Sequence, residues 1–177
     1  MTSRHHDVVT LPDGTRIRAA RTSDVKGIRR LVDTYADDRR LLSKATVELY
    51  EHVQEFLVAE LDGRVVGCGA LHVMWEDLGE IRTMAIAEEL RHKGVGGILL
   101  ELLLDRAREL GLSRLFCLTF ETEFFESHGF EAIEDRPVST EVYEALLESR
   151  DEGVAEMLGL ERVKPNTLGN TRMLRYV

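Results

Sequence analysis

The run from Glu80 to Gly111, EIRTMAIAEELRHKGVGGILLELLLDRARELG, constrains this chain more than any other. It reads as a strand over 81–86, a polar turn at Glu88-Glu89, a glycine-rich loop and then a long amphipathic helix. Ile98, Leu99, Leu102, Leu103, Ala107 and Leu110 recur at intervals of three and four, which puts them on one helical face. Gly111 then supplies the left-handed residue that stops a helix. Directly before the helix lies Arg91-His92-Lys93-Gly94-Val95-Gly96-Gly97. Glycines there let the main chain curl with its N–H groups outward. This is also where the first helical turn has unpaired donors and the positive end of its dipole. Such a loop accepts a phosphate or diphosphate.

Spacing excludes two familiar phosphate loops. A Walker loop requires GxxxxGK[ST], and the chain has no such run. A dinucleotide fingerprint requires GxGxxG straight after a strand. Here Gly94-Val95-Gly96 is followed by Gly97-Ile98-Leu99, and a turn intervenes. A plain helix start is the remaining alternative, and against it stands the order Arg-x-x-Gly-x-Gly between a strand and a helix.

At 177 residues the chain reads as one domain, 1–177, long enough for a proper core. Apolar content of 44% and charged content of 31% place it among globular proteins. A net charge of −9 argues against nucleic acid as a partner, since that requires a basic footprint. No apolar run approaches the roughly 20 residues that span a bilayer, so no membrane is expected. The N-terminal MTSRHHDVV lacks the apolar segment of a secretory signal, and a cytoplasmic location is expected. Cys68 and Cys117 fall inside predicted strands and read as buried free thiols without metal-site spacing. His5-His6 reads as a solvated pair rather than a metal site, and no metal is expected.

Taken in order, residues 1–14 read as a polar lead-in closed by the turn Pro12-Asp13-Gly14. A first strand over 15–20 points Ile17 inward. Thr22-Ser23-Asp24 caps a helix striped by Val25, Ile28, Leu31, Val32 and Tyr35. A charged loop over 36–44 precedes a second helix carrying Thr46, Val47, Leu49, Tyr50 and Val53. Strands over 55–61 and 64–74 are joined by the hairpin signal Asp62-Gly63, and Gly67 and Gly69 mark a bulge or a close approach. After the central run, 114–119 is a β-prone segment suited to parallel pairing through a crossover helix. A short helix near 122–128, a strand ending near Glu134, a helix over 139–150 and a closing strand over 172–177 complete the chain.

This order, with Arg91-x-x-Gly94-x-Gly96, the preceding Met84-Ala85-Ile86 and the segment Phe124-Phe125-Glu126-Ser127-His128-Gly129-Phe130, resembles the GNAT N-acetyltransferases. The resemblance covers about 15–134 as core, with a C-terminal helix and closing strand over 139–177. It implies an α/β (α+β) GNAT fold, with a mixed central sheet of about six to seven strands flanked by helices. The fourth and fifth strands, at 81–86 and 114–119, are expected to splay. GEIRTMAI, RLFCLTFETEFFESHGF and VKPNTLGNTRML are similar to short, stand-alone bacterial N-acetylglutamate synthases of arginine biosynthesis. Longer synthases carry a kinase-like domain that binds arginine; at 177 residues none is expected here. Dimers are common in the family, so a homodimer is an open expectation.

What the resemblance implies is acetyl transfer from acetyl-CoA to the α-amine of glutamate or glutamine by direct attack in a ternary complex. Main-chain groups of Met84, Ala85 and Ile86 would hold the pantetheine arm, with an N–H such as that of Met84 polarising the thioester carbonyl. Arg91 and the N–H groups of Lys93, Gly94, Val95, Gly96 and Gly97 would clamp the diphosphate, with His92 and Lys93 adding charge. Glu80 is the first candidate base, the alternative being an ion pair with Arg82; His128 ranks lower. Phe125 stands where many relatives have a proton-donating tyrosine, lining the cofactor without an acid. For the acceptor carboxylates the candidates are Lys44, Arg82, Thr119, Asn170 and Arg172. Another amine acceptor (a protein N-terminus or an antibiotic) and a non-catalytic acyl-CoA-binding module are the competing readings.

Overall fold

The computed structural model describes residues 8–37, 45–160 and 169–177. They fall into two compact units, one from residues 1–71 and 81–106, the other from 72–80 and 107–177.

In the first unit, β1 (Val9–Thr10) pairs antiparallel with β2 (Arg16–Ala19), Val9 lying opposite Ile17. The expected polar lead-in is thereby corrected, because a strand of two residues is too short to leave an alternating pattern. The turn between them is as expected: Asp13 Oδ1 accepts from the Thr15 N–H at 2.9 Å and Gly14 takes φ +87°. A single tight turn then leads into α1 (Val25–Asp37), which runs into the segment expected to be a charged loop. Beyond it lies α2 (Thr46–Glu51), of which only Leu49 is buried. β3 (Phe56–Leu61) and β4 (Arg64–Val73) form the expected hairpin, with Asp62 at φ +50° and Gly63 at +74°. Both angles are positive, as a two-residue hairpin turn demands. Ala59 faces Gly67 and Glu60 faces Val65, so Val66 is the extra residue of a bulge.

The strand β5 (Leu78–Ile86) starts three residues earlier than the sequence suggests, and its portion from Ile81 onward belongs to this unit. α3 (Val95–Glu109) follows, and Gly111 takes φ +84° behind it. The two sheet faces here divide the core. Val58, Cys68, Ala70 and Ala85 pack with α1, whereas Ala59 and Val66 pack with Val95 and Leu99 of α3. The expected apolar face of α3 needs correction. Leu99, Leu100, Leu103, Leu104 and Ala107 are fully buried, whereas Ile98 and Leu110 are exposed. Leucines at five of the six positions 99–104 encircle the helix, so spacing alone does not fix which side faces inward.

The second unit opens with a tight connection in which the Met74 and Trp75 N–H groups both donate to the Leu78 carbonyl at 2.9 Å. β6 (Arg114–Thr119) runs parallel to the start of β5, with Leu78 beside Arg114 and Glu80 beside Phe116. The Arg114 fork grips Asp77 (2.9 and 3.2 Å), and that guanidinium holds the Asp77 carboxyl below the usual carboxylate range. α4 (Thr122–Glu126), β7 (Glu131–Ala132), α5 (Thr140–Leu146), α6 (Glu152–Leu158) and β8 (Thr171–Tyr176) complete the chain.

The C-terminal helix is thus two helices. α6 went unread in the sequence, although Asp151 caps it (Oδ1 to the Val154 N–H, 3.0 Å) and Gly159 ends it at φ +68°. At seven residues it is too short to show a period. It nevertheless buries Val154, Ala155, Met157 and Leu158, each large side chain contributing roughly 1.5–3 kcal/mol.

The sheet has eight strands in the order β1-β2-β3-β4-β5-β6-β8-β7, against the six to seven expected. The sheet is mixed: β5 and β6 are parallel, and the other pairs for which a register is defined are antiparallel. β8 pairs with both β6 and β7 rather than closing an edge. Among the described residues no helix is long and apolar enough to cross a membrane.

Candidate functional site

From Ile81 to Ile86, β5 alternates: Ile81, Thr83 and Ala85 are buried, and Arg82, Met84 and Ile86 are half-buried. Thr83 breaks the regularity with φ +56°, a left-handed conformation that a β-branched residue resists. Opposite this stretch β4 carries Gly67 and Gly69. A Cβ on Gly69 would sit 2.5 Å from Met84 Sδ, and one on Gly67 would sit 2.9 Å from Ile86 Cδ1. The glycines therefore clear space for those two side chains rather than for an approaching backbone. At the strand's end the Tyr35 hydroxyl donates to the Ile86 carbonyl, and the Ala87 N–H donates to the Val66 carbonyl at 2.7 Å. The sequence places Tyr35 in a core stripe, and nothing in it announces this contact.

The loop after β5 is pinned at both ends by buried residues, Leu90 at 5% exposure and Val95 at 0%. Between them His92 takes φ +62° and Gly94 takes +85°, so two left-handed residues within three reverse the chain. His92, Lys93 and Gly94 are exposed, and Arg91, Gly96 and Gly97 are half-buried. The Ile98 N–H donates to the Gly94 carbonyl at 3.1 Å, which opens the helical ladder. The N–H groups of Val95, Gly96 and Gly97 come before that first donor, so the helix offers them no acceptor. Arg91 Nη1 lies 3.4 Å from Glu88 Oε2, an ion pair with a largely exposed carboxylate that holds the guanidinium only weakly. An open bend with two cations before the positive end of a 15-residue helix suits an anionic group.

The other predicted residues belong to the second unit, apart from Arg82 and Lys44. Glu80 is buried at 6% exposure, beside Phe116 in the β5–β6 pairing. Burial first, and the Glu80 carboxylate second, push the Cys117 thiol well up. Burial raises Cys68 to about 12, so both cysteines are neutral free thiols, as expected. Thr119 Oγ1 accepts from the Glu121 N–H at 2.9 Å and shapes the turn into α4. Phe125 is buried edge-on between Phe124 and Phe130, both ring centroids lying 5.2 Å away. His128 Nδ1 meets the Phe124 carbonyl at 2.8 Å, which leaves Nε2 as the basic nitrogen. Arg172 Nη2 donates to the Glu156 carbonyl at 3.0 Å near the end of α6. Asn170 is half-buried just before β8, Arg82 is half-buried on β5, and Lys44 lies outside the described residues.

The structure thus brings Met84, Ala85, Ile86 and the stretch 91–97 together within the first unit. A model of the Acetyltransferase (GNAT) family matches residues 26–130. A curated relative from Mycobacterium tuberculosis (strain ATCC 25618 / H37Rv), named amino-acid acetyltransferase, is 58% identical over 161 residues, 89% of this chain and 92% of its own. A solved Mycobacterium tuberculosis structure in complex with CoA and NLQ superposes with a TM-score of 0.87 at 57% identity, covering 91% of this chain and 98% of that one. N-acetylglutamate synthase from Neisseria gonorrhoeae, complexed with coenzyme A and N-acetyl-glutamate, superposes with a TM-score of 0.73 at 27% identity. That match covers 92% of this chain and 35% of the synthase.

Proposed function

Because the chain belongs to the GNAT family of acetyltransferases, we propose that it moves acetyl from acetyl-CoA to the α-amine of L-glutamate or L-glutamine, the first step of arginine biosynthesis in the cytoplasm. The observation that carries this reading is the Arg91–Gly97 bend at the start of α3, directly downstream of β5, with His92, Lys93 and Gly94 exposed. The match to an amino-acid acetyltransferase over nine-tenths of both chains supports the acceptor class.

In this mechanism Arg91 and the N–H groups of Gly94, Val95, Gly96 and Gly97 grip the diphosphate, with charge from the Lys93 side chain and, when protonated, His92; the Lys93 N–H, expected among the donors, instead donates to the Leu90 carbonyl at 3.3 Å. Main-chain groups of Met84, Ala85 and Ile86 hold the pantetheine arm. The Met84 N–H donates to the thioester oxygen as negative charge builds there, an effect worth about 3 kcal/mol. The acceptor nitrogen, once deprotonated, attacks the carbonyl carbon; as the tetrahedral adduct collapses the C–S bond breaks, the sulfur leaves with its electron pair and the nitrogen gives its second proton to water. Glu80 takes the ammonium proton, directly or through a water. Phe125 has no proton to give, so CoA leaves as thiolate or is protonated by water. Acceptor carboxylates require cations or amide donors. Lys44, Arg82, Asn170, Arg172 and the Thr119 hydroxyl are the candidates for that role.

Incubation with acetyl-CoA and a panel of amino acids and other amines, following free thiol, tests the proposal. Release with glutamate or glutamine is expected. Release only with other amines would reassign the acceptor. CoA binding without turnover would favour a non-catalytic binding module, the reading that the buried Phe125 ring keeps in play.

A further inference from the structure

β5 keeps a threonine in a conformation that threonine avoids. Thr83, 8% exposed, has φ +56° in the interior of a strand. A left-handed residue swings its peptide groups out of the ladder direction, and a buried carbonyl then needs another donor. Cys68 supplies it: Sγ donates to the Thr83 carbonyl across 3.4 Å of fully buried space. Burial raises the thiol to about 12, and the Ala85 main-chain amide opposes that rise without cancelling it. The group therefore remains a donor at neutral pH. Cys68 also sits between Gly67 and Gly69, whose missing side chains make room for Ile86 and Met84. Met84 is thus constrained twice, through its side chain over Gly69 and through the peptide that links it to Thr83.

We propose that Cys68 is a positioning residue whose thiol clips the Thr83 kink and thereby aims the Met84 main-chain N–H at the thioester oxygen. The proposal rests on the acetyl-transfer reading above. Sγ takes no part in bond making; it acts through the backbone of β5. A cysteine that merely fills core volume behaves differently. Replacement by alanine would then lower stability and spare turnover, and serine, which buries a hydroxyl, would be the worse replacement of the two.

The test compares Cys68→Ala with Cys68→Ser in kcat, in KM for acetyl-CoA, and in amide hydrogen exchange at Met84 and Ala85. Cys68→Ala is expected to lower kcat at least about tenfold with KM within about twofold, and to speed exchange at both amides about tenfold. Cys68→Ser restores the donor and is expected to recover kcat to within about threefold of wild type. Should Cys68→Ala fail to fold, Cys68→Val removes the donor without opening a cavity and carries the same expectation. Unchanged exchange, unchanged kcat, or a serine variant slower than the alanine one would overturn the proposal. A wild-type protein that releases no thiol with any acceptor defeats the acetyl-transfer reading, and the positioning role with it. Exchange at Met84 and Ala85 then still reports on the clip alone, so the two failures are told apart.

Discussion

Glu80 is sunk to 6% exposure where β5 meets β6, whereas Arg91 stands half-exposed on an open bend. The two environments suit opposite tasks. A base works where water is scarce, and a diphosphate clamp must reach a ligand arriving from solvent. Glu80→Gln is expected to cost about a hundredfold in kcat at pH 7, the usual scale for a positioned base. The deficit should shrink as the pH rises, because more acceptor amine is then already deprotonated in solution. A pH profile parallel to wild type would reject the role. Arg91→Ala is expected to raise KM for acetyl-CoA about tenfold and to move kcat less, as loss of uniform binding does. An unchanged KM would remove Arg91 from the clamp. In the proposed mechanism the Phe125 ring has no proton to give, which leaves thiolate departure or water as the exit for CoA.

At the scale of elements, Gly94 serves the bend through its backbone angle rather than through space. A Cβ on Gly94 meets nothing within 4 Å, so the obstacle to a side chain is φ +85° alone. Gly63 in the β3–β4 turn presents the same situation at φ +74°. Gly94→Ala and Gly63→Ala should therefore each cost about 1 kcal/mol in urea unfolding. Only Gly94→Ala should also weaken CoA binding; equal affinities in the two variants would divorce the bend from the ligand. β5, the bend and α3 were legible because glycines, a β-prone run and a helical period agree there. β1 and α6 were not, having two and seven residues and so no period to read. The buried side of α3 was misjudged because leucine surrounds it. The kink at Thr83 was invisible, since threonine is a good strand former and nothing in sequence announces a positive φ. Arg172 was read by charge, and the structure gives that charge a capping contact at α6 that charge alone does not foretell.

For the molecule as a whole, the Arg18 and Arg114 ion pairs make part of the stability depend on pH. Arg18 joins Asp24 (2.7 and 3.0 Å) and Glu60 (Nε to Oε2, 3.1 Å) with little exposure. The Arg18 hydrogen bonds, chiefly, and then the Arg21 N–H, hold the Asp24 carboxyl below its usual range. A carboxylate whose folded pKa is depressed stabilises the fold at neutral pH and loses that contribution as pH falls from about 4 through the folded value. Asp77, held down by Arg114, adds in the same direction. Asp24→Ala is expected to cost about 3 kcal/mol in urea unfolding at pH 7, because it strands Arg18 beside a single remaining carboxylate. The gap to wild type should narrow as pH falls through the depressed folded value; a gap independent of pH would mean that packing, not charge, is lost. A net charge of −9 disfavours an anionic cofactor overall, so the proposed function assigns the diphosphate to the local cations and the helix end.

Amide chemical shifts of Gly94, Gly96 and Gly97 during titration with CoA, and separately with pantetheine, test that claim most directly. Large shifts with CoA at these three amides, absent with pantetheine, which lacks the diphosphate, are the predicted result. CoA binding that leaves all three amides unmoved would contradict it.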